Sequence, residues 1–561
     1  MTTSARAARA LCLFALLALA PSPARAQDAS APAYKISYTL SMPNPASHLF
    51  EVRVDVRGLA GAGHVDFQMP RWSPGRYAVF DFAKNVHEAL VWPHCKAGAK
   101  CLSGFPAERL DTQTWRARVP ASVADGVTFS YKVFADDLSG TFSQLDARHA
   151  NFNGGSVFVY VAGHKHDPVT LKINAPAGWK VVNGQSKGTG QSEFSFPNYD
   201  VLIDTPTEVA PDFTVQTFEV AGKTYRVVVH SFGDEGGRRG ELAKAVERVV
   251  RAQTAMMPEP DYEQYTFLFH FDPTARRGDG MEHLNSTQIV ETAALADRQT
   301  LEEAVGTAAH EFFHVWNVKR LRPAGLGPWD FTRPVVTRGL WIAEGFTNYF
   351  GKLSQRRAGL WDDERLLRSY AAAVGGVENA PGSRVTSAVE ASLLAPFIDR
   401  ASSEQRTNLS ETVVSYYPKG ETLALPLDLI IRGRSKGRSS LEEVMRRAYE
   451  EFYLKSPNDS YYLKGRAYTV EEFERFASEV SGVDLSEFFR RHVYQATPPP
   501  YEEALAHVGL RLTRTPERRA PDAGGKATPP AVDARATYRI EKDDNAPPAA
   551  RALREAWLKG K

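Results

Sequence analysis

Apolar and polar residues alternate in short runs through the first 215 positions of the chain. The runs lie at residues 34–42, 50–56, 129–133, 157–161 and 169–173, with Gly, Pro and Asn between them. A period of two residues places one side of each run in a core and the other in solvent, which is typical of β-strands. The pattern predicts an antiparallel β domain, a sandwich, over residues 27–215.

The spacing of apolar residues becomes helical near Gly240, and a strand-like run follows at residues 265–269. Thr300 with Glu303, and Ser440 with Glu443, are capping-box signatures that mark the starts of helices. Helices are predicted over residues 242–253, 301–318, 339–354 and 441–452. Strands and helices are mixed in this region, so it is predicted to be an α+β domain.

The chain therefore divides into five predicted segments. A signal segment (1–26) precedes the β domain (27–215), and an α+β domain (216–435), a helical lobe (436–500) and a tail (501–561) follow. The tail begins next to the stiff Thr-Pro-Pro-Pro run at 497–500 and is rich in Pro, Ala, Arg and Gly. Its periodicity is poor apart from a helical stretch near residues 549–557.

The first 26 residues have the three parts of a secretory signal. Arg6 and Arg9 precede an apolar run at residues 11–20, and Ala24-Arg25-Ala26 resembles a cleavage site. About ten apolar residues ending at a proline are too few to span ~30 Å of hydrocarbon. We therefore expect an exported protein, periplasmic or extracellular, without a membrane span.

Composition narrows the function classes further. The chain has 561 residues, 43% of them hydrophobic, and a formal net charge of +2, which falls to −1 without the three signal arginines. This balance predicts no binding of nucleic acid. Cys95 and Cys101 remain after export and either form a small disulfide or stay apart, since geometry decides this. Nothing in the sequence defines an oligomeric state.

Candidate chemistry lies in the segment His310-Glu311-Phe312-Phe313-His314. Two histidines four positions apart project from one face of a helix, so both imidazoles can reach one metal ion at ~2.1 Å. A glutamate beside the first histidine is placed to take a proton from a zinc-bound water. The pattern predicts one Zn²⁺ per chain, held by His310 and His314, with Glu311 as the base.

A catalytic zinc needs a third protein ligand and an open position. The longer metalloprotease pattern requires a glycine and a histidine where Asn317 and Arg320 stand, so that pattern is excluded. Glu344 lies on the next predicted helix, in an apolar stretch between Leu340-Trp341-Ile342 and Phe346. An unpaired charge there would be costly, and ligation of the metal explains its presence. Glu344 is the predicted third ligand.

These motifs resemble the glycyl aminopeptidase family of gluzincins, thermolysin-like zinc metallopeptidases that often carry a PDZ domain. The resemblance rests on residues 310–320 and 341–347, and on Trp-Ser-Pro-Gly-Arg-Tyr at 72–77 in the β domain. It covers about residues 34–510 and implies a thermolysin-like α+β catalytic domain with a helical C-terminal lobe. The tail lacks a Gly-Leu-Gly-Phe-like loop, so it is interpreted as a degenerate or truncated PDZ-like tail.

The resemblance also implies residues that bind substrate. Residues 279–283, Asp-Gly-Met-Glu-His, are similar to the Gly-x-Met-Glu-Asn motif of related zinc aminopeptidases and depart from it at both ends. By this similarity Glu282 holds the free α-ammonium of the substrate, with Gly280 and Met281 beside it. Residues 417–420 resemble a Tyr-x-Lys-Gly motif, so Tyr417, or its neighbour Tyr416, is expected to stabilise the oxyanion.

Taken together, these features predict a secreted zinc aminopeptidase. Its substrates would be peptides with a free N-terminus, and the family implies small first residues, Gly or Ala. Two alternatives remain open: a zinc endopeptidase on the same site, and a non-catalytic secreted binding protein with a relic zinc site. An N-acetylated peptide distinguishes an aminopeptidase from an endopeptidase. An aminopeptidase should not cleave it, whereas an endopeptidase should.

The roles of metal ligand and base can be separated by one substitution. Glu311→Gln keeps the size and helix propensity of the residue but removes the base. We expect zinc to remain bound while turnover falls by at least ~10², measured by metal analysis and by hydrolysis of amino-acid p-nitroanilides. Near-normal turnover would show that another group activates the water.

Overall fold

The computed structural model describes residues 34–59, 62–95, 103–119, 124–399, 412–458, 463–516 and 535–560. The predicted signal segment and Cys101 lie outside the described residues, so neither the signal nor the disulfide is addressed by the fold. Within the described ranges, none of the helices combines the length and apolar character needed to cross a bilayer.

The predicted β-rich N-terminal domain is confirmed. Its strands are β1 Lys35–Ser41, β2 Leu49–Arg57, β3 His64–Gln68, β4 Val86–Cys95, β5 Phe105–Pro106, β6 Glu108–Arg109, β7 Thr114–Arg118, β8 Ala124–Phe134, β9 Gln144–Leu145, β10 Ala150–Phe152, β11 Tyr160–Val161, β12 Val169–Asn174, β13 Lys180–Asn183, β14 Glu193–Phe196 and β15 Thr207–Ala210.

Three sheets form from these strands. The largest has the order β14-β12-β1-β2-β8-β4-β5, and two four-stranded sheets have the orders β11-β3-β7-β6 and β13-β15-β10-β9. Phe67 of β3 stacks on Phe129 of β8 with ring centroids 4.5 Å apart, so two of the sheets face each other across an apolar core. One pair departs from the antiparallel expectation, because β1 and β12 run parallel.

A five-stranded mixed sheet follows the β domain. It contains β16 Thr214–Val220, β17 Lys223–Ser231, β18 Gln264–Phe271, β19 Asp279–Glu282 and β20 Ser286–Glu291, in the order β16-β17-β18-β20-β19. The three central strands are parallel, and β19 adds an antiparallel edge. The Asp-Gly-Met-Glu segment is therefore an edge strand.

Helices cover this sheet and continue beyond it, except α1, which belongs to the β domain and lies between β14 and β15. They are α1 Tyr199–Ile203, α2 Arg239–Met256, α3 Arg298–Phe313, α4 Leu340–Ala343, α5 Gly345–Arg357, α6 Asp363–Glu378, α7 Ala388–Leu393, α8 Ala395–Ile398, α9 Tyr416–Arg434, α10 Leu441–Ala448, α11 Val470–Ser481, α12 Ser486–Phe488, α13 Tyr501–Ala506 and α14 Pro548–Lys559. Two π-helical turns, Tyr449–Lys455 and Phe489–Val493, follow α10 and α12.

Two helices differ from the sequence expectation at their ends. The helix predicted over 301–318 begins earlier, where the Asp297 side chain accepts a hydrogen bond from the Thr300 amide at 3.0 Å, and ends at Phe313. The helix predicted over 339–354 is interrupted at Glu344. The Asn317 amide donates to the carbonyls of Ile342 and Ala343, which a continuous helix would use internally.

Close packing between helices holds the chemistry-bearing segments together. Phe313 on α3 stacks on Phe350 on α5 with centroids 4.8 Å apart. A Cβ atom on Gly351 would lie 3.3 Å from the Ala309 carbonyl oxygen, and one on Gly420 would lie 2.0 Å from the Trp341 carbonyl oxygen. The absence of side chains at these glycines lets α5 approach α3, and lets α9 approach α4.

The tail packs onto the catalytic domain. Its described residues form the hairpin of β21 Leu510–Pro516 and β22 Ala536–Lys542, followed by α14. Trp557 of α14 is buried and donates its indole hydrogen to the Tyr349 hydroxyl at 2.8 Å. The helical stretch expected near 549–557 is present. The interpretation of the tail as a shortened PDZ-like unit remains a prediction.

Candidate metal centre and active site

The structure brings the three predicted metal ligands together. His310 Nε2 and His314 Nε2 lie 3.0 Å apart, and Glu344 Oε2 lies 3.4 Å from the first and 3.3 Å from the second. Helix α3 supplies His310, and His314 stands at its C-terminal cap one turn later. The break between α4 and α5 turns the Glu344 carboxylate toward both imidazoles. Three donor atoms therefore converge on one point, as a divalent cation requires.

Two neighbouring groups orient these ligands. His314 Nδ1 donates to the Asn317 carbonyl at 2.7 Å, which leaves Nε2 free to face the metal. The Tyr77 hydroxyl donates to Glu344 Oε1 at 2.6 Å and leaves Oε2 for the metal. Tyr77 belongs to the Trp-Ser-Pro-Gly-Arg-Tyr motif, so the N-terminal domain supports a ligand 267 positions away in the sequence.

The electrostatics of the ligand set suit a cation. Glu344 Oε2 is buried and accepts no hydrogen bond. Burial opposes protonation of His314, but Glu344 and Glu282 outweigh it and raise the His314 pKa to about 10. Burial lowers the pKa of His310. The carboxylates therefore attract positive charge to this point, and zinc satisfies the same demand with two imidazoles and one carboxylate as ligands.

Glu311 reaches the same cleft from α3. Burial raises its pKa to about 8, with Glu282 and Glu344 adding to the effect against His314. A Cβ atom on Gly280 would lie 2.2 Å from Glu311 Oε1, so the glycine leaves room for the carboxylate at the sheet edge. Glu311 Oε2 is buried without a hydrogen-bond partner. Glu311 is thus positioned to exchange a proton with a molecule in the cleft.

Glu282 on β19 forms a second group of ionisable side chains together with Glu311 and His314. Its carboxylate lies within 4.8 Å of ligand atoms of Glu311 and His314. The residue is only 4% exposed. Among the described residues, no cationic side chain forms an ion pair with it, although Arg76 is near enough to interact electrostatically. A buried carboxylate of this kind is expected to receive a cationic group from elsewhere.

The arginine of the N-terminal motif is engaged elsewhere. Arg76 Nη2 donates to Asp279 Oδ1 at 2.6 Å and to the Gly280 carbonyl at 3.0 Å, and both charged side chains are buried. A Cβ atom on Gly75 would lie 2.8 Å from Glu282 Oε2. The motif therefore lies directly on the edge strand. Asp279, which departs from the family motif, is the partner of Arg76.

Sequence reasoning missed Tyr77, Arg76 and Asn317 as parts of the site. The Trp-Ser-Pro-Gly-Arg-Tyr motif at 72–77 is the signal that points to Tyr77 and Arg76. Its resemblance to a family motif assigns no role to either residue. Asn317 follows the second histidine by three positions and served only to exclude another family. Its amide and carbonyl join the end of α3 to the α4–α5 break.

Met281 and His283 of the edge-strand motif contact neighbouring segments of the protein. Met281 is buried against the N-terminal domain, where Cβ atoms on Gly75 and Gly140 would lie 2.3 and 2.7 Å from its side chain. Successive residues of a strand face opposite sides, so Met281 points away from Glu311. A role for Met281 beside the substrate stays a prediction. His283 Nδ1 lies 3.0 Å from Asp204 Oδ1.

Both candidate tyrosines lie near the ligands at the start of α9. The Tyr417 ring centroid lies 6.2 Å from that of His310, and Tyr417 is only partly buried. Tyr416 is buried against Tyr77, with centroids 5.9 Å apart and its hydroxyl unbonded. Tyr417 is therefore the one of the two at the cleft surface. Burial raises the pKa of both hydroxyls well above 10, so each remains a donor.

Two cavities adjoin residues of the site. A cavity of about 160 Å³ is lined by Tyr77, Glu282, Leu284, Val318, Lys319 and Trp329. A larger groove of about 660 Å³ adjoins His310 and includes Glu303, Asn348, Lys352 and Trp361. The small cavity lies beside Glu282 and the N-terminal motif, whereas the groove is lined by residues of α3 and α5 and reaches the ligand set at His310. The two spaces differ about fourfold in volume.

Comparison with known families decides the assignment. The model of the peptidase M61 N-terminal domain matches residues 37–211, and that of the M61 glycyl aminopeptidase matches residues 303–423. The chain belongs to the M61 glycyl aminopeptidase family. The predicted enzyme class, a zinc metallopeptidase of the aminopeptidase type, is confirmed by this membership.

The first of two similar solved structures has the same architecture as this M61 protein. An aminopeptidase N family protein from Idiomarina loihiensis is 25% identical, with a TM-score of 0.75, over 89% of this chain and 82% of that one. An M1 zinc metallopeptidase from Deinococcus radiodurans is 14% identical, with a TM-score of 0.48, over 83% and 95%. The chain has no significant match among curated protein sequences.

The Tyr77 hydroxyl can be tested as a support for the metal ligand. Tyr77→Phe removes the hydrogen bond to Glu344 and little volume. Loss of such an outer partner typically weakens metal binding or activity by ~10–100-fold. We expect this loss in a chelator competition titration, with an unchanged far-ultraviolet circular dichroism spectrum.

Tyr38→Phe is the matched control. The Tyr38 hydroxyl donates to the Val159 carbonyl inside the β domain, and its loss should leave zinc affinity unchanged. Equal zinc affinities and activities in wild type and Tyr77→Phe would mean that Glu344 needs no support from the N-terminal domain.

Proposed function

We propose that the protein is an exported zinc aminopeptidase that removes small N-terminal residues, Gly or Ala, from peptides. Glu282 carries the proposal. It is a buried carboxylate without a cationic partner among the described residues, and it lies within 4.8 Å of Glu311. The α-ammonium of a peptide would supply the missing charge.

Distance supports this role. In a peptide the free amine and the first carbonyl carbon are separated by about 2.5 Å, because only Cα lies between them. A carboxylate that binds the amine must therefore lie within a few ångströms of the groups that act on the carbonyl. Glu282 meets this requirement, since its oxygen lies within 4.8 Å of both Glu311 and His314. It would limit the chain before the scissile bond to one residue.

The two cavities fit the direction of an exopeptidase. The small cavity beside Glu282 would take the side chain of the first residue, and the groove beside His310 would take the rest of the peptide. The N-terminal motif packs on this region, because Gly75 lies against Glu282 and the Tyr77 hydroxyl donates to Glu344. Preference for Gly or Ala comes from the family and agrees with the smaller volume on this side.

His310, His314 and Glu344 would hold the zinc ion, which supplies a Lewis acid that polarises the carbonyl and lowers the pKa of water. Glu311 would accept the proton of the attacking water and deliver it to the leaving amine. Tyr417 would donate a hydrogen bond to the oxyanion that forms at the carbonyl.

The decisive experiment removes the proposed amine anchor. Glu282→Ala should lower kcat/KM on free-amine substrates by roughly 10²–10³ or more, because breaking one side of a buried charge pair costs ~3–5 kcal/mol. Zinc content and fold should stay intact. Activity on N-acetylated peptides should stay equal or rise, because the mutant presents no unneutralised carboxylate to a neutral end.

Glu263→Ala is the matched control for this experiment. Glu263 stands just before β18 with an 88% exposed side chain, and its loss should change neither substrate type. A uniform fall of Glu282→Ala activity on both substrates would assign Glu282 a general supporting role. Efficient cleavage of acetylated peptides by the wild type would instead favour an endopeptidase.

A further inference from the structure

A second cluster of metal-ligating side chains lies outside the active site. His149 and Glu208 come from the N-terminal domain, immediately before β10 and on β15. His230 and His270 occupy matching positions of the parallel strands β17 and β18 in the catalytic sheet. All four side chains are at most 2% exposed. The cluster therefore lies where the two domains meet.

The distances within this cluster match those of a ligand set. His149 Nδ1 and His230 Nδ1 each lie 3.0 Å from Glu208 Oε1, and His270 Nε2 lies 3.8 Å from Glu208 Oε2. One donor atom from each residue lies within 4.8 Å of all the others. Ligands at ~2.1 Å around a tetrahedral ion are separated by about 3.4 Å, so little adjustment is needed.

Three ring nitrogens in the cluster are buried without a hydrogen bond of good geometry, namely His230 Nδ1, His230 Nε2 and His270 Nδ1. The two His230 nitrogens nevertheless lie 3.0 and 3.2 Å from the carboxylate oxygens of Glu208 and Asp212. Buried polar atoms are normally satisfied, so three orphans in one cluster require an explanation. The Glu344 oxygen of the active site shares this signature of close approach without a hydrogen bond. A bound cation explains the orphaned His230 Nδ1, which faces Glu208.

Outer contacts also fit ligation. His149 Nε2 is 2.9 Å from Gln144 Oε1, and His230 Nε2 is 3.2 Å from Asp212 Oδ1. Such partners hold the ring with its other nitrogen toward a metal. Asn151 Nδ2 lies 3.2 Å from Glu208 Oε2 and 3.3 Å from His270 Nε2. Ligation by His270 Nε2 would require this amide to withdraw from the ring and keep its contact with Glu208.

We infer that His149, Glu208, His230 and His270 form a second zinc site that joins the N-terminal domain to the catalytic sheet. Three imidazoles and one carboxylate match the ligand preference of zinc among divalent metals. Four protein ligands fill a tetrahedral site, and their burial keeps substrate away. The second site is structural, and it changes the expected zinc content from one ion per chain to two.

Metal counting tests the inference on the full-length protein. Wild type, purified without a metal-affinity tag, should contain about two zinc ions per chain by elemental analysis. His310→Ala should retain about one, His230→Ala about one, and the double variant close to none. His64→Ala, at an exposed histidine of the β domain, is the control and should retain both ions.

A second measurement keeps the test decisive if His230→Ala does not fold. Cobalt-substituted His310→Ala protein should show the strong visible absorption of four-coordinate Co²⁺. Its X-ray absorption spectrum should fit about three imidazole ligands, against two at the active site. Chelation of this variant should lower its melting temperature, because an ion bound only to the folded state stabilises it.

The two sites fail independently in these experiments. One zinc in wild type and none in His310→Ala would overturn the second site, leave the proposed active site standing and identify the cluster as a hydrogen-bonded network without an ion. Two ions in both wild type and His310→Ala would instead contradict the active-site ligands. Loss of one ion in His230→Ala, with no visible Co²⁺ spectrum in His310→Ala, would also count against the proposal.

Discussion

Burial of three carboxylates in one cleft is the constraint on which the active site depends. Glu282, Glu311 and Glu344 are all buried and interact electrostatically. Carboxylates crowded in this way cannot all remain ionised without cations nearby. His314 partly answers the need, and Arg76 is committed to Asp279. A divalent metal at one end and the α-ammonium of the proposed substrate at the other would meet the remaining demand. In the proposed function, charge balance would therefore link metal binding and substrate selection.

The N-terminal domain contributes to the active site because its backbone passes close to the buried carboxylates, as well as through its charged side chains. Gly75 and Gly140 leave the space that Glu282 and Met281 occupy, and any Cβ there would collide. Tyr77 can reach Glu344 only because the chain passes so closely over the edge strand. A catalytic domain without its partner domain would have its ligands but would lack the hydroxyl that orients Glu344. The active site is therefore a property of both domains.

Local patterns predicted the parts of the fold that depend on neighbours in sequence. The alternation of the β domain, the helix around His310 and the ligand Glu344 follow from periodicity, capping and the cost of a buried charge. The break at Glu344 did not follow, because the Asn317 amide imposes it from another segment. Tyr77 also lay beyond reach, since no local pattern records a contact across 267 positions.

The sequence alone also cannot decide which of two adjacent residues faces the active site. Tyr416 and Tyr417 share the same local pattern, and their directions differ because successive residues of a helix point about 100° apart. The two rings stack with centroids 4.8 Å apart, and the packing of α9 leaves Tyr416 buried beside Tyr77 and Tyr417 partly exposed beside His310. The same reasoning applies to Met281 and Glu282 on their strand. The spacing of residues identifies the motifs, whereas tertiary packing decides which side chain of each motif faces the cleft.

The two clusters differ in a way that separates catalysis from structure. At the active site three ligands leave one position of a tetrahedral ion for water or substrate, and Glu311 adjoins it. In the interdomain cluster a fourth side chain takes that position, and no cleft is needed. His230 and His270 stand near the carboxyl ends of two parallel strands, whereas His310 and His314 lie on a helix packed on the same sheet. An ion in the closed cluster would hold the β domain in register with that sheet. The position of Tyr77 over Glu344 depends on the same register, so the structural cluster would support the active site mechanically.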